Sequence, residues 1–193
     1  MAQPKPRPAT YADIEALPPH VVGEILFGVL HTHPRPAPPH AAASSAIGIE
    51  LGNPFQRGRG GPGGWLFLDE PELHLGPHVI VPDIAAWRRE RLPALPETAF
   101  ITTTPDWVCE VLSPSTRRVD RTDKLAIYAE FGIRHAWYVD PDARTLEVLA
   151  LTTGKWLVEA TFKDADPVSA PPFAEHTFPL NALWPLPTAG TEA

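Results

Sequence analysis

Short apolar runs that carry a single carboxylate constrain the fold of this chain most strongly. Residues 79–83 read Val-Ile-Val-Pro-Asp, and residues 107–112 read Trp-Val-Cys-Glu-Val-Leu. Runs of this length and composition predict buried strands. Each carries one acid, Asp83 or Glu110, and a buried charge is costly unless a metal ion or an opposite charge balances it. Asp83 and Glu110 are therefore the first candidates for functional residues.

Prolines mark the connections between the apolar runs. The chain has 25 prolines among 193 residues, whereas proline usually makes up about 5% of a protein. Many of them fall in residues 34–39, 93–105 and 167–187 and leave the apolar runs free. Length and pattern together predict a single domain over residues 1–187 with stiff loops, followed by a mobile tail over residues 188–193.

Charge and composition argue against several classes of protein. The formal net charge of -7 and the pI near 5.6 argue against broad, sequence-independent binding of nucleic acid, although a local basic cleft stays open. Residues 1–10 are too polar for a secretory signal, and no run approaches the roughly 18 apolar residues of a membrane span. We expect a cytoplasmic protein without membrane contact. The single cysteine, Cys109, excludes an internal disulfide and a cysteine-based zinc site within one chain.

The order of the predicted elements mixes helices and strands. Glu24 falls in a predicted strand pair over residues 21–32 that turns near Gly28. The other predicted elements are a short helix from Thr10, a helix over residues 40–51, strands over residues 65–68, 73–75, 79–87, 107–112 and 135–139, a helix from Asp120 or Thr122 to Gly132, and a hairpin of residues 146–151 with 156–162. This order predicts an α/β (α+β mixed) fold with a crossover around the second acidic strand.

The two acids suit a magnesium site. Mg²⁺ prefers oxygen ligands and is commonly held by one or two carboxylates together with waters and substrate phosphate. Asp83 and Glu110 meet that requirement if their strands are neighbours. Lys124, in the predicted first turn of the next helix, would offset negative charge at the phosphorus or orient the attacking water. Glu24 would be a third acid, either a ligand through water or a support for a second metal ion.

Several short motifs occur in a fixed order along the chain. They are Gly-Glu-Ile-Leu-Phe-Gly at residues 23–28, His40, Val-Pro-Asp-Ile at 81–84, Glu-Val-Leu-Ser-Pro-Ser at 110–115, Asp-Arg-Thr-Asp-Lys-Leu at 120–125, Tyr128, Gly-Ile at 132–133 and Trp-Tyr-Val-Asp-Pro at 137–141. In this order they resemble the Uma2 family (DUF820) of predicted endonucleases, within the PD-(D/E)XK restriction-endonuclease-like superfamily. The resemblance implies a restriction-endonuclease-like core, in which helices flank a central mixed β-sheet. It also implies that Asp83 and Glu110 bind Mg²⁺, with Mn²⁺ as a substitute, and that the Val111 carbonyl completes the metal site.

One position departs from the superfamily pattern. That pattern has a lysine two residues after the acid, where this chain has Leu112. The family resembled here carries its lysine further along the chain, at the position of Lys124. We therefore interpret Lys124 as the catalytic lysine, acting with Asp83, Glu110 and Glu24. The resulting hypothesis is a Mg²⁺-dependent endonuclease that hydrolyses phosphodiester bonds of DNA.

Basic residues close to the acidic strands are candidates for substrate contacts. Arg117, Arg118 and Arg121 lie just beyond Glu110 in the sequence and would bind phosphates of DNA. His40, at the predicted start of a helix, would be a further phosphate contact. A second basic cluster occupies residues 88–91 and follows the Asp83 run. Such clusters are most often solvated surface groups.

The same residues allow other interpretations. A protein of this fold that binds nucleic acid or a protein partner without cleaving it would fit the acidic pI and Leu112. A metal-dependent hydrolase of small phosphate esters would fit the acids but not the family resemblance. Glu110 could instead form a structural ion pair with one of the nearby arginines. Exposed apolar edges would also allow a homodimer.

Two further sites are disfavoured by their surroundings. His31, His33 and His40 have spacings that could reach one zinc ion, but the prolines between them oppose it. Ser113 and Ser115 lack the Gly-x-Ser-x-Gly pattern of a nucleophile elbow and predict a turn.

Overall fold

The computed structural model describes residues 7–184. Its strands, numbered along the chain, are β1 (Val21–Leu26), β2 (Val29–Pro34), β3 (Trp65–Asp69), β4 (Leu73–Leu75), β5 (His78–Ile80), β6 (Ile84–Arg88), β7 (Trp107–Val111), β8 (His135–Asp140), β9 (Thr145–Thr152), β10 (Lys155–Lys163), β11 (Pro167–Val168) and β12 (Phe178–Pro179). The predicted domain end at residue 187 and the predicted tail over residues 188–193 lie outside the described residues.

The helices are short apart from one. They are α1 (Tyr11–Glu15), α2 (Pro38–Leu51), α3 (Arg117–Val119) and α4 (Leu125–Glu130), with π-helical turns at Gly52–Gln56 and Asp120–Lys124 and a 3-10 turn at Leu180–Leu183. The elements α3, Asp120–Lys124 and α4 follow one another without a break and are called the 117–130 helix below. Within residues 7–184, no helix is both long enough and apolar enough to cross a membrane.

Two sheets form the framework of the protein. The larger has six strands in the order β10-β9-β8-β7-β6-β3, and the smaller has four strands in the order β2-β1-β5-β4. In the larger sheet β7 and β8 run parallel while the other neighbours run antiparallel. The predicted α+β class, with helices flanking a central mixed sheet, is confirmed.

The 117–130 helix is the crossover between the parallel strands β7 and β8. Parallel neighbours need such a connection because the chain must return to the same end of the sheet. Glu110 of β7 lies opposite Tyr138 of β8. The helix packs Ile127 and Tyr128 onto the sheet face that carries Val108. The predicted crossover is therefore confirmed, and it places helix side chains directly over the Glu110 face of β7.

Strand β7 is buried on both faces. Trp107, Cys109 and Val111 pack against α2 and the C-terminal segment in one core. Val108 and Leu112 pack with the 117–130 helix and the smaller sheet in a second core. This is the alternation that the two-residue period of a strand produces. Glu110 shares the face of the second core, so its carboxylate lies in apolar surroundings and requires a partner.

The run that was predicted as one strand over residues 79–87 breaks in two. β5 belongs to the smaller sheet and β6 to the larger one, and Val81, Pro82 and Asp83 pass between them. Proline has no backbone N–H to donate to a strand ladder, so it marks the point where the chain leaves one sheet. The break places Asp83 between the two sheets, directly before β6.

The helix that was predicted to begin at Asp120 or Thr122 begins earlier, at Arg117. The Ser113 hydroxyl accepts a hydrogen bond from the Thr116 amide at 3.2 Å and organises the turn before it. Thr122 donates to the carbonyl of Arg118 at 2.7 Å, so it is an interior residue rather than a cap. Lys124 consequently lies in the middle of the 117–130 helix, and its predicted position in the first turn is wrong.

Helix α2 also starts earlier than predicted, at Pro38. Proline fits the first helical position because its missing N–H would have no helical partner there. Ala43, Ile47 and Leu51 recur every four residues and are buried against the larger sheet. This packing holds His40, in the first turn, beside the strand end that carries Asp83.

Candidate active site

Asp83 and Glu110 face each other across neighbouring strands. β6 and β7 pair antiparallel with Ile84 opposite Cys109, so the next position of the same register places Asp83 opposite Glu110. The Asp83 Oδ2 atom accepts a hydrogen bond from the Val111 amide at 2.7 Å. The strands of the two predicted metal ligands are therefore neighbours.

Lys124 is surrounded by three carboxylates. Its Nζ atom lies 3.1 Å from both Glu110 oxygens, 3.2 Å from Glu24 Oε1 and 3.3 Å from Asp120 Oδ1. Lys124 is only 3% exposed. A lysine is almost never this buried unless its charge is paired. The structure thus brings together three of the four predicted catalytic residues at one ammonium group.

The π-helical turn at Asp120–Lys124 buries its first and last residues, Asp120 and Lys124, against the sheet. Tyr128, one turn further along, donates its hydroxyl to Glu110 Oε1. Tyr138 on β8 donates to the Asp120 carbonyl at 2.7 Å and fixes the start of the π turn. Departures from regular α-helix of this kind occur often at functional sites.

Glu24 connects the smaller sheet to this cluster. Its Oε1 atom accepts a hydrogen bond from the Val81 amide at 2.8 Å, while the Val81 carbonyl lies 3.3 Å from Lys124 Nζ. The segment that carries Asp83 is therefore held by Glu24 on one side and Lys124 on the other. These two contacts to the Val81 backbone position the segment, in addition to the ion pair between Glu24 and Lys124.

Two histidines complete the polar surroundings. His40 Nε2 lies 3.3 Å from Asp83 Oδ1, and His33 Nε2 lies 3.7 Å from Glu24 Oε2. Within residues 7–184 the buried Nδ1 atom of His40 has no hydrogen-bond partner. His40, which was predicted as a phosphate contact, thus lies beside Asp83, while His33 is paired with a different acid.

The electrostatic environment keeps Lys124 charged. Burial alone would lower the pKa of Lys124, but the carboxylates of Glu110, Glu24 and Asp120 outweigh it and raise the pKa well above its usual range. Burial alone would raise the pKa of Glu110, and the Lys124 ammonium in turn opposes this effect. Lys124 is therefore a fixed positive charge at neutral pH and is unsuited to accept a proton.

These groups line one cavity of about 270 Å³. Asp83, Glu110, Asp120, Lys124 and His40 lie on its walls. The proline-rich segment 34–37 and residues 113–116 also line it. All the charged groups of the cluster except Glu24 thus border the same cavity.

A family model described as "Putative restriction endonuclease", named Uma2, matches residues 8–182. The chain belongs to the Uma2 family. A crystal structure described as "a putative nuclease belonging to DUF820 from Anabaena variabilis ATCC 29413" matches with a TM-score of 0.73 and 23% sequence identity, and the match covers 92% of this chain and 98% of that chain. This structural likeness supports the fold. No curated protein matches the sequence.

The ligand chemistry of the site fits a hard divalent cation. Within the described residues of this Uma2 protein, no group of three or more His, Cys, Asp and Glu side chains forms a complete metal cage. Mg²⁺ does not need one, since one or two carboxylates suffice and water supplies the other ligands. Asp83 and Glu110 provide two carboxylates that line one cavity. Burial alone would lower the pKa of His40, but Asp83 and the Val111 backbone outweigh it and raise the pKa above its usual value.

The arginines that were predicted to bind substrate lie outside the cavity of this Uma2 protein. Arg117 pairs with Asp140 at 2.9 Å, and Arg121 pairs with Glu147 at 2.8 Å. Arg118 is exposed. The basic cluster at residues 88–91 lies at the opposite end of β6 from Asp83, and Arg91 pairs with Asp106 at 2.6 Å. Phosphate binding by Arg117, Arg118 and Arg121 stays a prediction.

Sequence reasoning missed the roles of Asp120, Tyr128 and His33 in the Uma2 site. Asp120 had been interpreted as a possible helix start, and both Asp120 and Tyr128 were named as motif residues without a contact to Glu110 or Lys124. A usable signal was present, because Asp120, Lys124 and Tyr128 follow one another at intervals of four residues and so share one helix face. The signal for His33 was the predicted strand pair itself, because β1 pairs with β2 so that Glu24 lies opposite His31, two residues from His33.

Proposed function

We propose that this protein is a Mg²⁺-dependent nuclease that hydrolyses phosphodiester bonds of DNA. Asp83 and Glu110 would hold the metal ion, with the Val111 carbonyl as a further ligand. Lys124 would supply the positive charge next to the reacting phosphate, and Glu24 would position it. Membership of the Uma2 family and the placement of these residues in one cavity support the proposal.

One observation carries the proposal. Lys124 Nζ lies 3.1 Å from both oxygens of Glu110, and Asp83 lies at the next position across the strand ladder. A lysine that served only to neutralise Glu110 would not require a second carboxylate at the same cavity. Two acids and one ammonium group around an accessible cavity are the groups that phosphodiester hydrolysis needs.

The overall reaction adds water across a P–O bond. The water oxygen forms a new bond to phosphorus, the bond to the leaving oxygen breaks, and a proton passes to that leaving oxygen. A divalent cation at the carboxylates would polarise the phosphate and lower the pKa of a bound water. Because Lys124 stays protonated, its contribution is to stabilise the negative charge that builds up on the phosphate oxygens.

The other protein groups position these residues. Glu24 and Lys124 hold the backbone of Val81 from both sides. The Val111 amide fixes one oxygen of Asp83 and leaves the other facing His40. A preorganised site of this kind loses little energy to rearrangement during the reaction. The cytoplasmic location, the wider PD-(D/E)XK superfamily and a homodimer stay predictions.

The test is cleavage of supercoiled plasmid and of single- and double-stranded oligonucleotides in Mg²⁺ or Mn²⁺. We expect cleavage that stops on addition of EDTA and that is lost in Asp83→Asn. The matched control is Asp164→Asn, which makes the same chemical change at an exposed position and should cleave like the wild type. Equal cleavage by wild type and Asp83→Asn would overturn the proposal, as would the absence of both cleavage and calorimetric Mg²⁺ binding.

A further inference from the structure

The size of the cavity restricts what can reach the acids. Its volume of about 270 Å³ lies just below the roughly 300–1,000 Å³ of typical small-molecule pockets. Glu110 at its base is only 2% exposed, and the Asp83 side chain is 16% exposed. A phosphodiester group with its adjoining sugars matches this space. An intact duplex is far wider, so its phosphates would stay at the rim.

The charges of the protein also disfavour an intact duplex. Tight binding of duplex requires that many lysines and arginines neutralise phosphates. Arg117 and Arg121 are already paired with Asp140 and Glu147. Among residues 7–184, Arg35 is the only arginine that lines the cavity. The surface around the site therefore provides contacts for few phosphates, as a short unpaired strand requires.

Arg35 stands at the mouth of the cavity in a weak ion pair. Its side chain is 61% exposed, and its Nη1 atom lies 3.3 Å from Glu70 Oε2. An exposed pair of this kind contributes little to stability. A guanidinium group binds phosphate in a forked geometry with charge-assisted hydrogen bonds. A substrate phosphate can therefore replace Glu70 as the partner of Arg35 at small cost.

The opposite rim carries hydroxyl groups. Ser113 Oγ lies 2.9 Å from Ser115 Oγ and 2.9 Å from Thr116 Oγ1, and all three residues line the cavity. Hydroxyl groups are common partners of phosphate oxygens. In contrast, within the described residues no Phe, Tyr or Trp side chain lines the cavity, so it has no aromatic platform for stacked bases. The rim suits the backbone of a strand rather than its bases.

We propose that the cavity takes a single unpaired DNA strand and that Arg35 anchors a backbone phosphate at its mouth by exchanging Glu70 for it. This inference rests on the proposed nuclease function, because it names the form of DNA that the same site binds. The cavity has the size for one strand, and Arg35 provides the charge that holds it there.

Binding is measured first, because it does not require cleavage. Fluorescein-labelled 15-nucleotide single strands and the corresponding duplex are titrated with Asp83→Asn in Mg²⁺, followed by fluorescence anisotropy. We expect the single strand to bind at least about 10-fold more tightly than the duplex. Adding Arg35→Ala to Asp83→Asn should weaken single-strand binding roughly 10- to 100-fold, as expected for a lost charge-assisted hydrogen bond, and Arg35→Lys should recover part of it.

Two further variants separate a phosphate anchor from a structural ion pair. Glu70→Gln removes the competing carboxylate and should tighten binding, whereas loss of a structural pair would leave it unchanged or weaker. Arg59→Ala, at an exposed arginine outside the cavity, is the matched control and should not change binding. Arg35→Ala should also reduce the slope of log K against log salt by about 0.7, the value for one phosphate contact on a single strand.

Cleavage then distinguishes the inference from the nuclease function itself. With wild type in Mg²⁺, a duplex that contains an unpaired bubble should be cut within the bubble. Equal cutting of intact duplex and single strand, or equal binding of both, would overturn the inference while leaving the nuclease function in place. Strand binding that depends on Arg35, without cleavage of any substrate and without calorimetric Mg²⁺ binding, would support the inference and overturn the nuclease function. Binding that is unaffected by Arg35→Ala would reject Arg35 as the anchor.

Discussion

The ammonium nitrogen of Lys124 lies 3.1 Å from both carboxylate oxygens of Glu110, and neither residue is more than 3% exposed. Glu24 contacts the same nitrogen from the smaller sheet. The two sheets and the 117–130 helix are thus joined through one buried charge. In the proposed nuclease, folding and activity would depend on the same side chain, so variants must be chosen to separate the two.

Replacement of Lys124 by methionine should strongly destabilise the fold. It leaves Glu110 and Glu24 buried without their counter-charge, and breaking a buried ion pair in this way typically costs about 3–5 kcal/mol. Urea denaturation monitored by circular dichroism gives the free energy of unfolding. The control is Lys155→Met at an exposed lysine, which should change the free energy by no more than about 0.5 kcal/mol.

The double variant Lys124→Met/Glu110→Gln tests the pairing itself. Because it removes one of the uncompensated charges, it should recover part of the lost stability, and the effects of the two substitutions will not add. If Lys124→Met unfolds at the same urea concentration as Lys155→Met, the charge of Lys124 is not needed to keep the three surrounding carboxylates buried in the folded protein.

Replacement of Asp83 by asparagine should abolish activity without harming the fold. The Asp83→Asn variant keeps a side-chain oxygen that can accept from the Val111 amide, as Asp83 Oδ2 does at 2.7 Å. We therefore expect the free energy of unfolding to stay within about 1 kcal/mol or to rise. Loss of a metal ligand should reduce cleavage by at least about 100-fold, since loss of an outer contact already costs 10- to 100-fold. Melting and cleavage assays on the same Asp83→Asn preparation distinguish a catalytic role of Asp83 from a structural one. A clear fall in melting temperature would indicate a structural acid.

The strand assignment of the runs that carry the two acids could be predicted because it depends on local pattern. Two short apolar runs with one acid each predict strands, and the alternation along β7 correctly placed Val108 and Leu112 on the face of Glu110. The motif order also predicted the Uma2 family, which the family match over residues 8–182 confirms. These inferences needed only neighbouring residues and their spacing.

The charge partners could not be predicted in the same way. Lysine is normally exposed, and nothing near Lys124 in the sequence shows that Glu24 reaches it from another sheet. The break at Pro82 was also hidden from the sequence. Residues 79–87 continue one apolar pattern, although the chain passes from the smaller sheet to the larger one between β5 and β6. The helix start was ambiguous, because Ser, Thr and Asp residues offer several caps between Ser113 and Thr122.

The hydroxyl of Tyr128 should contribute more to stability than that of Tyr138. Both are buried, but Tyr128 donates to the Glu110 carboxylate and Tyr138 donates to the Asp120 backbone carbonyl. Hydrogen bonds to charged groups contribute about 1.5–3 kcal/mol, against about 0.5–1.5 kcal/mol for neutral partners. We therefore expect Tyr128→Phe to lower the free energy of unfolding more than Tyr138→Phe in parallel urea titrations. The reverse order would show that Glu110 is satisfied by Lys124 alone.

Protonation of His135 should destabilise the protein at acidic pH. His135 begins β8, its buried Nδ1 atom has no partner within residues 7–184, and burial lowers its pKa below the usual value. In the unfolded chain a histidine takes up a proton near pH 6.5, so the unfolded state binds more protons than the folded state below that pH. The contribution of His135 to stability is therefore complete above about pH 6.5 and is lost as the pH falls toward its lower folded pKa.

Removal of the imidazole should flatten this pH dependence. Between about pH 8 and about pH 5.5, the range in which histidine titrates, we expect the melting temperature of His135→Gln to fall by less than that of the wild type. His20→Gln, at an exposed histidine, makes the same change and should keep the wild-type dependence. An equal fall in the melting temperatures of His135→Gln and the wild type would assign the acid sensitivity to other groups. A smaller fall in His135→Gln alone would assign part of it to the histidine at the start of β8.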